Sequence, residues 1–210
     1  MLIPFSKLMK SYNLKISGIL HVGAHECEEL KQYTSFNIEP RNIYWIEAME
    51  NKVSMMKSKG VLNIYQAFID DKDNKEITFN ISNNGQSSSL LNFGTHSKNY
   101  PQVKFIDTIK GKTKRLDTLI DENSIPIEHI NFVNLDIQGI ELRALKSMEK
   151  YLCHIDYIYT EVNSEYVYKD CNLISEIDDY LKNFDFVRVE TKMASNVGWG
   201  DAFYIKKLDK

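Results

Sequence analysis

The apolar run Gly18-Ile19-Leu20-His21-Val22 stops at Gly23 and passes into the polar, helix-compatible Ala24-His25-Glu26. Such a run predicts a buried strand that turns sharply at the glycine and feeds the N-terminus of a helix. In open α/β sheets the strand ends face a crevice, and a glycine lets backbone approach a ligand closely, so this junction is the expected place for a nucleotide-like ligand. Ile43-Tyr44-Trp45-Ile46-Glu47 supplies a second apolar strand, ending in an acid 24 residues after Gly23. A carboxylate there can accept both hydroxyls of a ribose.

With 210 residues, 43% of them hydrophobic, the chain can cover both faces of a sheet within a single domain spanning residues 1–210. A net charge of −3 draws neither nucleic acid nor an anionic membrane to the surface as a whole, and Lys104 to Arg115 is the one basic stretch that escapes this argument. Cys27, Cys153 and Cys171 are odd in number and lack CxxC spacing, which suggests neither a disulfide framework nor a zinc site. No apolar run approaches the ~20 residues that cross a bilayer, and the first residues lack a basic region ahead of an apolar core. A cytoplasmic protein without a membrane span is expected.

Phe5 to Asn13 predicts a short amphipathic helix within residues 1–15. Gly18 to Val22 then leads into a helix over Glu26 to Phe36, whose Glu26, Glu28 and Glu29 suit the positive end of the helix dipole. Ile43 to Glu47 is the second strand, Lys52 to Lys59 a helix and Val61 to Phe68 the third strand, together a βαβαβ half. Residues 69 to 128 break the rhythm. Glu76 to Ile81 alternates like a strand, and residues 82–101 have loop character, long enough inside a compact domain to be functional or mobile. Strands return at Ile130 to Asp136 and Ile155 to Glu161, with helices over Gly139 to Tyr151 and Leu173 to Asn183. Phe184 to Glu190 and Ala202 to Lys206 close the chain as antiparallel neighbours, because no helix-length segment separates them. Between them Gly198-Trp199-Gly200-Asp201 reads as a turn with an exposed Trp.

Glu47, Asp136 and Glu161 each end a predicted strand, and a parallel sheet would bring those ends to one edge beside Gly23. At these residues the chain resembles the FkbM-type branch of class I S-adenosylmethionine-dependent methyltransferases. The family's Asp-Val-Gly-Ala-Asn-x-Gly run is matched by His21-Val22-Gly23-Ala24-His25-Glu26-Cys27. Its Lys-x-Asp-Val-Glu-Gly-x-Glu motif is matched by Asn134 to Glu141. Thr113 to Leu119, Ser87 to Leu91 and Thr160 to Asn163 resemble its Leu-Asp segment, Ser-rich loop and Glu-Val strand end. The pattern departs at His21, Cys27 and Gln138, where the family has Asp, Gly and Glu. The first departure removes a usual contact to the ligand's amino group. The third removes any acid/base role at that position.

The resemblance implies an α/β, Rossmann-like fold: a mostly parallel seven-stranded sheet with helices on both faces and an antiparallel C-terminal strand. It implies an enzyme using S-adenosyl-L-methionine and releasing S-adenosyl-L-homocysteine, held by His21, Gly23, Ala24, His25, Glu28, Glu47, Ala48, Ala67, Phe68 and Asp136. Asp136 is the first candidate for orienting the acceptor or taking its proton, with Glu161 second and His96 third; residues 82–101 would shape the acceptor side. The expected acceptor is a hydroxyl of a sugar, glycan or other small metabolite, with no metal, and at most a second copy of the chain as a protein partner. Two alternatives remain: a degenerate cofactor-binding protein, motivated by the three departures, and a nucleic-acid methyltransferase, for which Lys104 to Arg115 would have to form a positive groove.

Overall fold

The computed structural model describes residues 1–207. Seven strands form the main sheet: β1 (Ile19–Val22), β2 (Ile43–Glu47), β3 (Ile64–Gln66), β7 (Phe132–Leu135), β8 (Tyr157–Asn163), β9 (Phe186–Met193) and β10 (Trp199–Lys206). Their spatial order is β3-β2-β1-β7-β8-β10-β9. Neighbours from β3 to β8 are parallel, and β10 runs antiparallel to both β8 and β9. The chain order reverses between β1 and β7, and the crevice of such sheets opens at that switch point.

The central strands are buried on both faces, which is why they read as unbroken apolar runs rather than alternating ones. Leu20, Val22, Val133, Leu135 and Ile158 point to one core, built with α5 (Leu116–Glu122), α6 (Glu141–Ser147) and α7 (Ile174–Lys182). Ile19, Ile43, Trp45, Phe132 and Tyr159 point to the other, under α1 (Phe5–Ser11), α2 (Leu30–Thr34) and α3 (Glu50–Ser58).

Residues 61–128 differ from the sequence reading. The third strand does not run unbroken to Phe68: β3 stops at Gln66, and β4 (Phe68–Ile69) leaves for a second sheet of order β4-β6-β5, with β5 (Glu76–Ser82) and β6 (Phe105–Lys114). Gly111 on β6 permits this. A Cβ there would lie 2.5 Å from the Phe68 ring, which instead packs on Phe79 with ring centroids 5.4 Å apart. On β6, Ile109, Gly111 and Thr113 turn inward while Asp107 is exposed, a pattern too mixed to signal a strand. The basic stretch is thus largely a β-strand, and two of its charges are paired locally, Lys114 with Glu122 and Arg115 with Asp117.

Residues 82–101 are likewise tied down. Asn80 bridges Ser89, Phe93 bridges Tyr168, Ser89 Oγ donates to the Gln138 carbonyl at 2.7 Å, and α4 (His96–Asn99) closes the segment. Trp199 opens β10 half-buried instead of lying exposed in a turn, and its Nε1 donates to the Tyr100 hydroxyl at 3.1 Å.

Of the three thiols, Cys27 and Cys171 are buried and Cys153 is exposed. Burial also pushes the Cys27 thiol up to about 12. Titration of the native protein with Ellman's reagent is expected to show one fast-reacting thiol, from Cys153, with the other two appearing only after denaturation.

Candidate active site

The C-terminal ends of β1, β2 and β7 meet at Gly23. Its φ is +92°, and a Cβ would lie 1.8 Å from the Asp136 carbonyl oxygen, so only glycine lets the β1 and β7 loops touch backbone to backbone. The Gly23 and Ala24 amides donate to the Ile46 carbonyl at 2.9 and 3.0 Å, and the Asp136 amide to the Val22 carbonyl at 2.9 Å. Two cavities join here, sharing Gly23, His25, Gln86, Asp136 and Gln138. The first and smaller is walled by Glu47, Ala48, Ala67, Phe68, Phe79 and Leu90. The second, larger one extends over β7, β8 and β10 and reaches Ala24, His25 and Glu28 in the turn after β1.

Glu47, 5% exposed, ends β2 inside the first cavity. Its Oε2 accepts the His25 amide at 2.7 Å and its Oε1 the Met49 amide at 2.9 Å. Burial raises this carboxyl against those bonds. The arrangement fixes the carboxylate at the strand end with lone pairs to spare. Ala67 and Phe68 are buried and supply the apolar wall.

The expected helix over Glu26 to Phe36 is much shorter. Residues 25–29 form a tight turn in which His25 and Cys27 take positive φ values of 44° and 52°, and α2 begins only at Leu30. Side chains occupy the amides that a helix would use: Glu47 takes that of His25, and Glu28 Oε2 takes that of Glu26 at 3.1 Å. The left-handed backbone at Cys27 explains why a glycine suits that position. Glu28 Oε1 sits 2.6 Å from His25 Nδ1. This bond raises His25; burial would raise Glu28, yet its bonds to His25 and to backbone amides hold it at about 2.

His21 is 3% exposed. Its ring packs on Trp45 at 4.8 Å, with Nδ1 3.1 Å from the Tyr33 hydroxyl and 3.4 Å from the Asn134 amide nitrogen. Burial lowers it to about 3. It therefore lies in the wall as a neutral ring, not as a substitute anion for the missing Asp.

Four carboxylates gather across β7, β8 and β10. Asp136 follows the end of β7, facing the space where the cavities join. Glu161, 6% exposed, lies two residues before the end of β8 rather than at it. Gln138, with φ of 58°, bridges them: its Nε2 donates to Asp136 Oδ1 at 2.5 Å and to Glu161 Oε2 at 2.8 Å, while its Oε1 accepts the Tyr168 hydroxyl at 2.5 Å. Glu141, 1% exposed, braces the loop by accepting the amides of Ile137 and Gly139 at 3.0 and 3.1 Å. Asp201, also 6% exposed, accepts the Tyr159 hydroxyl and the Leu2 amide. Enclosure raises Asp136, helped by the charge of Asp201; burial and the charge of Asp136 raise Glu161 well above an ordinary glutamate. Glu141 is raised by burial.

His96, 6% exposed, lines the second cavity. It stacks on Phe93 at 4.2 Å, and burial lowers it. Nothing in the sequence separated Asp201 from a turn residue; Glu141 was visible in its motif but had no assigned task. No three His, Cys, Asp or Glu side chains among the described residues are grouped to hold a metal ion.

Residues 21–188 match the family model described as the methyltransferase FkbM domain. The chain is 27% identical over 133 residues to the 2-O-methyltransferase NoeI of Sinorhizobium fredii, covering 60% of this chain and 54% of that protein, about half its length. Among solved structures, magnesium protoporphyrin IX methyltransferase ChlM from Synechocystis, with bound S-adenosylhomocysteine, superimposes with a TM-score of 0.52 at 9% identity, covering 96% of this chain and 80% of that one. Sp1610 from Streptococcus pneumoniae gives 0.51 at 11% identity, covering 100% and 72%. These two share the fold.

Because Glu161 is raised relative to the unfolded chain, the folded state binds more protons above the ordinary glutamate range, and ionising this group costs stability as pH rises. Glu161→Gln is therefore expected to melt higher than the parent at pH 8. By about pH 4, where glutamate in the unfolded chain is itself largely protonated, the two melting temperatures should converge in a calorimetric pH series.

Proposed function

The chain belongs to the FkbM methyltransferase family, and we propose that it transfers a methyl group from S-adenosyl-L-methionine to a hydroxyl of a sugar, glycan or other small metabolite. The observation that carries this reading is the junction of two unlike cavities at Gly23 and Asp136. The smaller suits a nucleoside. Glu47 offers carboxylate oxygens to a ribose diol, and Ala67, Phe68 and Leu90 offer apolar surface to a base. Ala48, Gly23, Ala24 and the His25–Glu28 pair would complete the cofactor's surroundings. When bound, the cofactor supplies an activated methyl group. His21 contributes as a neutral wall residue and not as a charged ligand.

Methyl transfer to oxygen is an in-line displacement, so alignment and removal of the hydroxyl proton are the main demands on the protein. Asp136 lies where the cavities join, oriented by the Gln138 amide. Its raised carboxyl brings it closer to neutrality, as suits a group that takes the acceptor proton. Glu161 shares the same amide and is the second candidate. His96 lies on the acceptor wall, kept neutral by burial, and fits acceptor positioning. Tyr100, Tyr168 and Trp199 line the larger cavity, and aromatic surfaces of this kind suit sugar faces. That a relative is a 2-O-methyltransferase supports oxygen as the atom methylated. Among the described residues no Lys or Arg lines either cavity, which disfavours nucleic acid as the acceptor.

Calorimetric titration with S-adenosylmethionine and S-adenosylhomocysteine tests this reading. Binding in the micromolar range is expected, weakened by Glu47→Ala by about tenfold or more through loss of a charge-assisted bond. Absence of binding by either ligand would refute it.

A further inference from the structure

Glu161 on β8 and Asp201 on β10 are directly opposite in the antiparallel register, on the wall of the larger cavity. Opposite side chains start with Cβ atoms about 5 Å apart, and like charges in that arrangement are destabilising. Both are 94% buried, the complement of their 6% exposure. Each has one oxygen committed: Asp201 Oδ2 to the Tyr159 hydroxyl and Leu2 amide, Glu161 Oε2 to the Gln138 amide. Among the described residues no hydrogen bond reaches Glu161 Oε1 or Asp201 Oδ1. Lys192, opposite Asp201 on β9, gives its ammonium to the Leu2 carbonyl at 3.1 Å and forms no ion pair with Asp201. The amino group of Met1 acts on Asp136 and Glu29. Among the described residues neither Lys nor Arg lines the cavity, and the buried Nδ1 of His96 on the same wall also lacks a partner.

Ala24, His25 and Glu28 of the cofactor's surroundings line the larger cavity together with the pair, but neither Glu161 nor Asp201 lines the nucleoside pocket. That pocket spans β1 to β3, whereas β8 and β10 are two and three strands from β1 on the other side, about 10 and 14 Å at the usual strand spacing.

We propose that the acceptor is a hydroxylated amine, its ammonium held between Glu161 and Asp201 while its hydroxyl faces Asp136. This rests on the methyltransferase reading. An ammonium supplies the missing donors for the two free oxygens and relieves the cross-strand repulsion. Tyr168, Tyr100 and Trp199 flank the same space, and cations also favour aromatic faces. An anionic acceptor would meet the like charge of the two carboxylates there.

The test is calorimetry on the full chain, with and without S-adenosylhomocysteine, using D-glucosamine, ethanolamine and N-acetyl-D-glucosamine. Glucosamine is expected to bind about tenfold or more tightly than its N-acetyl form, and Asp201→Asn to remove that preference. The same variant should keep its S-adenosylhomocysteine affinity within about twofold, since Asp201 lies outside the nucleoside pocket. Ethanolamine matching glucosamine assigns the amino alcohol as the unit recognised; weaker binding assigns the amino sugar. Equal or tighter binding of the N-acetyl form, no measurable binding of either amine, or an unaltered preference in Asp201→Asn would overturn the proposal. Failure of S-adenosylhomocysteine to bind would instead refute the methyltransferase reading, while the amine titration on the free protein still decides whether the carboxylate pair holds an ammonium.

Discussion

The contact between Gly23 and the Asp136 carbonyl is the constraint on which the site depends. It brings two strand-end loops within backbone distance at the switch point of the sheet, and any side chain at position 23 would separate them. From this contact one cavity extends over β1 to β3, and the other over β7 to β10 and the turn after β1. Glu47 fastens the first side by accepting the His25 amide, and Glu141 fastens the second by accepting those of Ile137 and Gly139. Both carboxylates act on backbone amides, so the loop shapes are set by charge-assisted bonds instead of regular secondary structure.

The electrostatics follow from the same crowding. Asp136, Glu141, Glu161 and Asp201 lie close together and are balanced by neutral donors: Gln138 to Asp136 and Glu161, Tyr159 and the Leu2 amide to Asp201, and the Ile137 and Gly139 amides to Glu141. Gln138 matters because an amide can donate to two carboxylates at once, whereas a carboxylate in its place would add a fifth negative group. The departure from the family pattern at this position is thus consistent with the local charge. His21 shows the opposite adjustment: with Trp45, Tyr33 and Asn134 around it, a neutral ring is accommodated where an anion would need a partner.

The strands of the main sheet were legible in the sequence because strands buried on both faces must be continuously apolar, and Ile43–Glu47 has the same bounds in the structure. The closing antiparallel pair followed from the absence of a helix-length connection. Two segments misled. The turn at residues 25–29 looked helical because its glutamates suit a helix N-terminus, yet their carboxylates compete for the amides a helix would use. β6 looked like a basic patch because only one of its faces packs, against a sheet too small to demand a strong apolar pattern.

The sequence by itself determined the layered α/β fold, the glycine turn and the family, because burial periodicity and local backbone chemistry are written in neighbouring residues. It also marked Glu47 and Asp136 as strand-end acids. Tertiary structure alone decided that Glu161 faces Asp201, that Gln138 joins Asp136 to Glu161, and that His21 is enclosed. These relations arise across strands far apart in the chain. Their energies depend on burial and on the distance between charges, and neither is carried by local sequence.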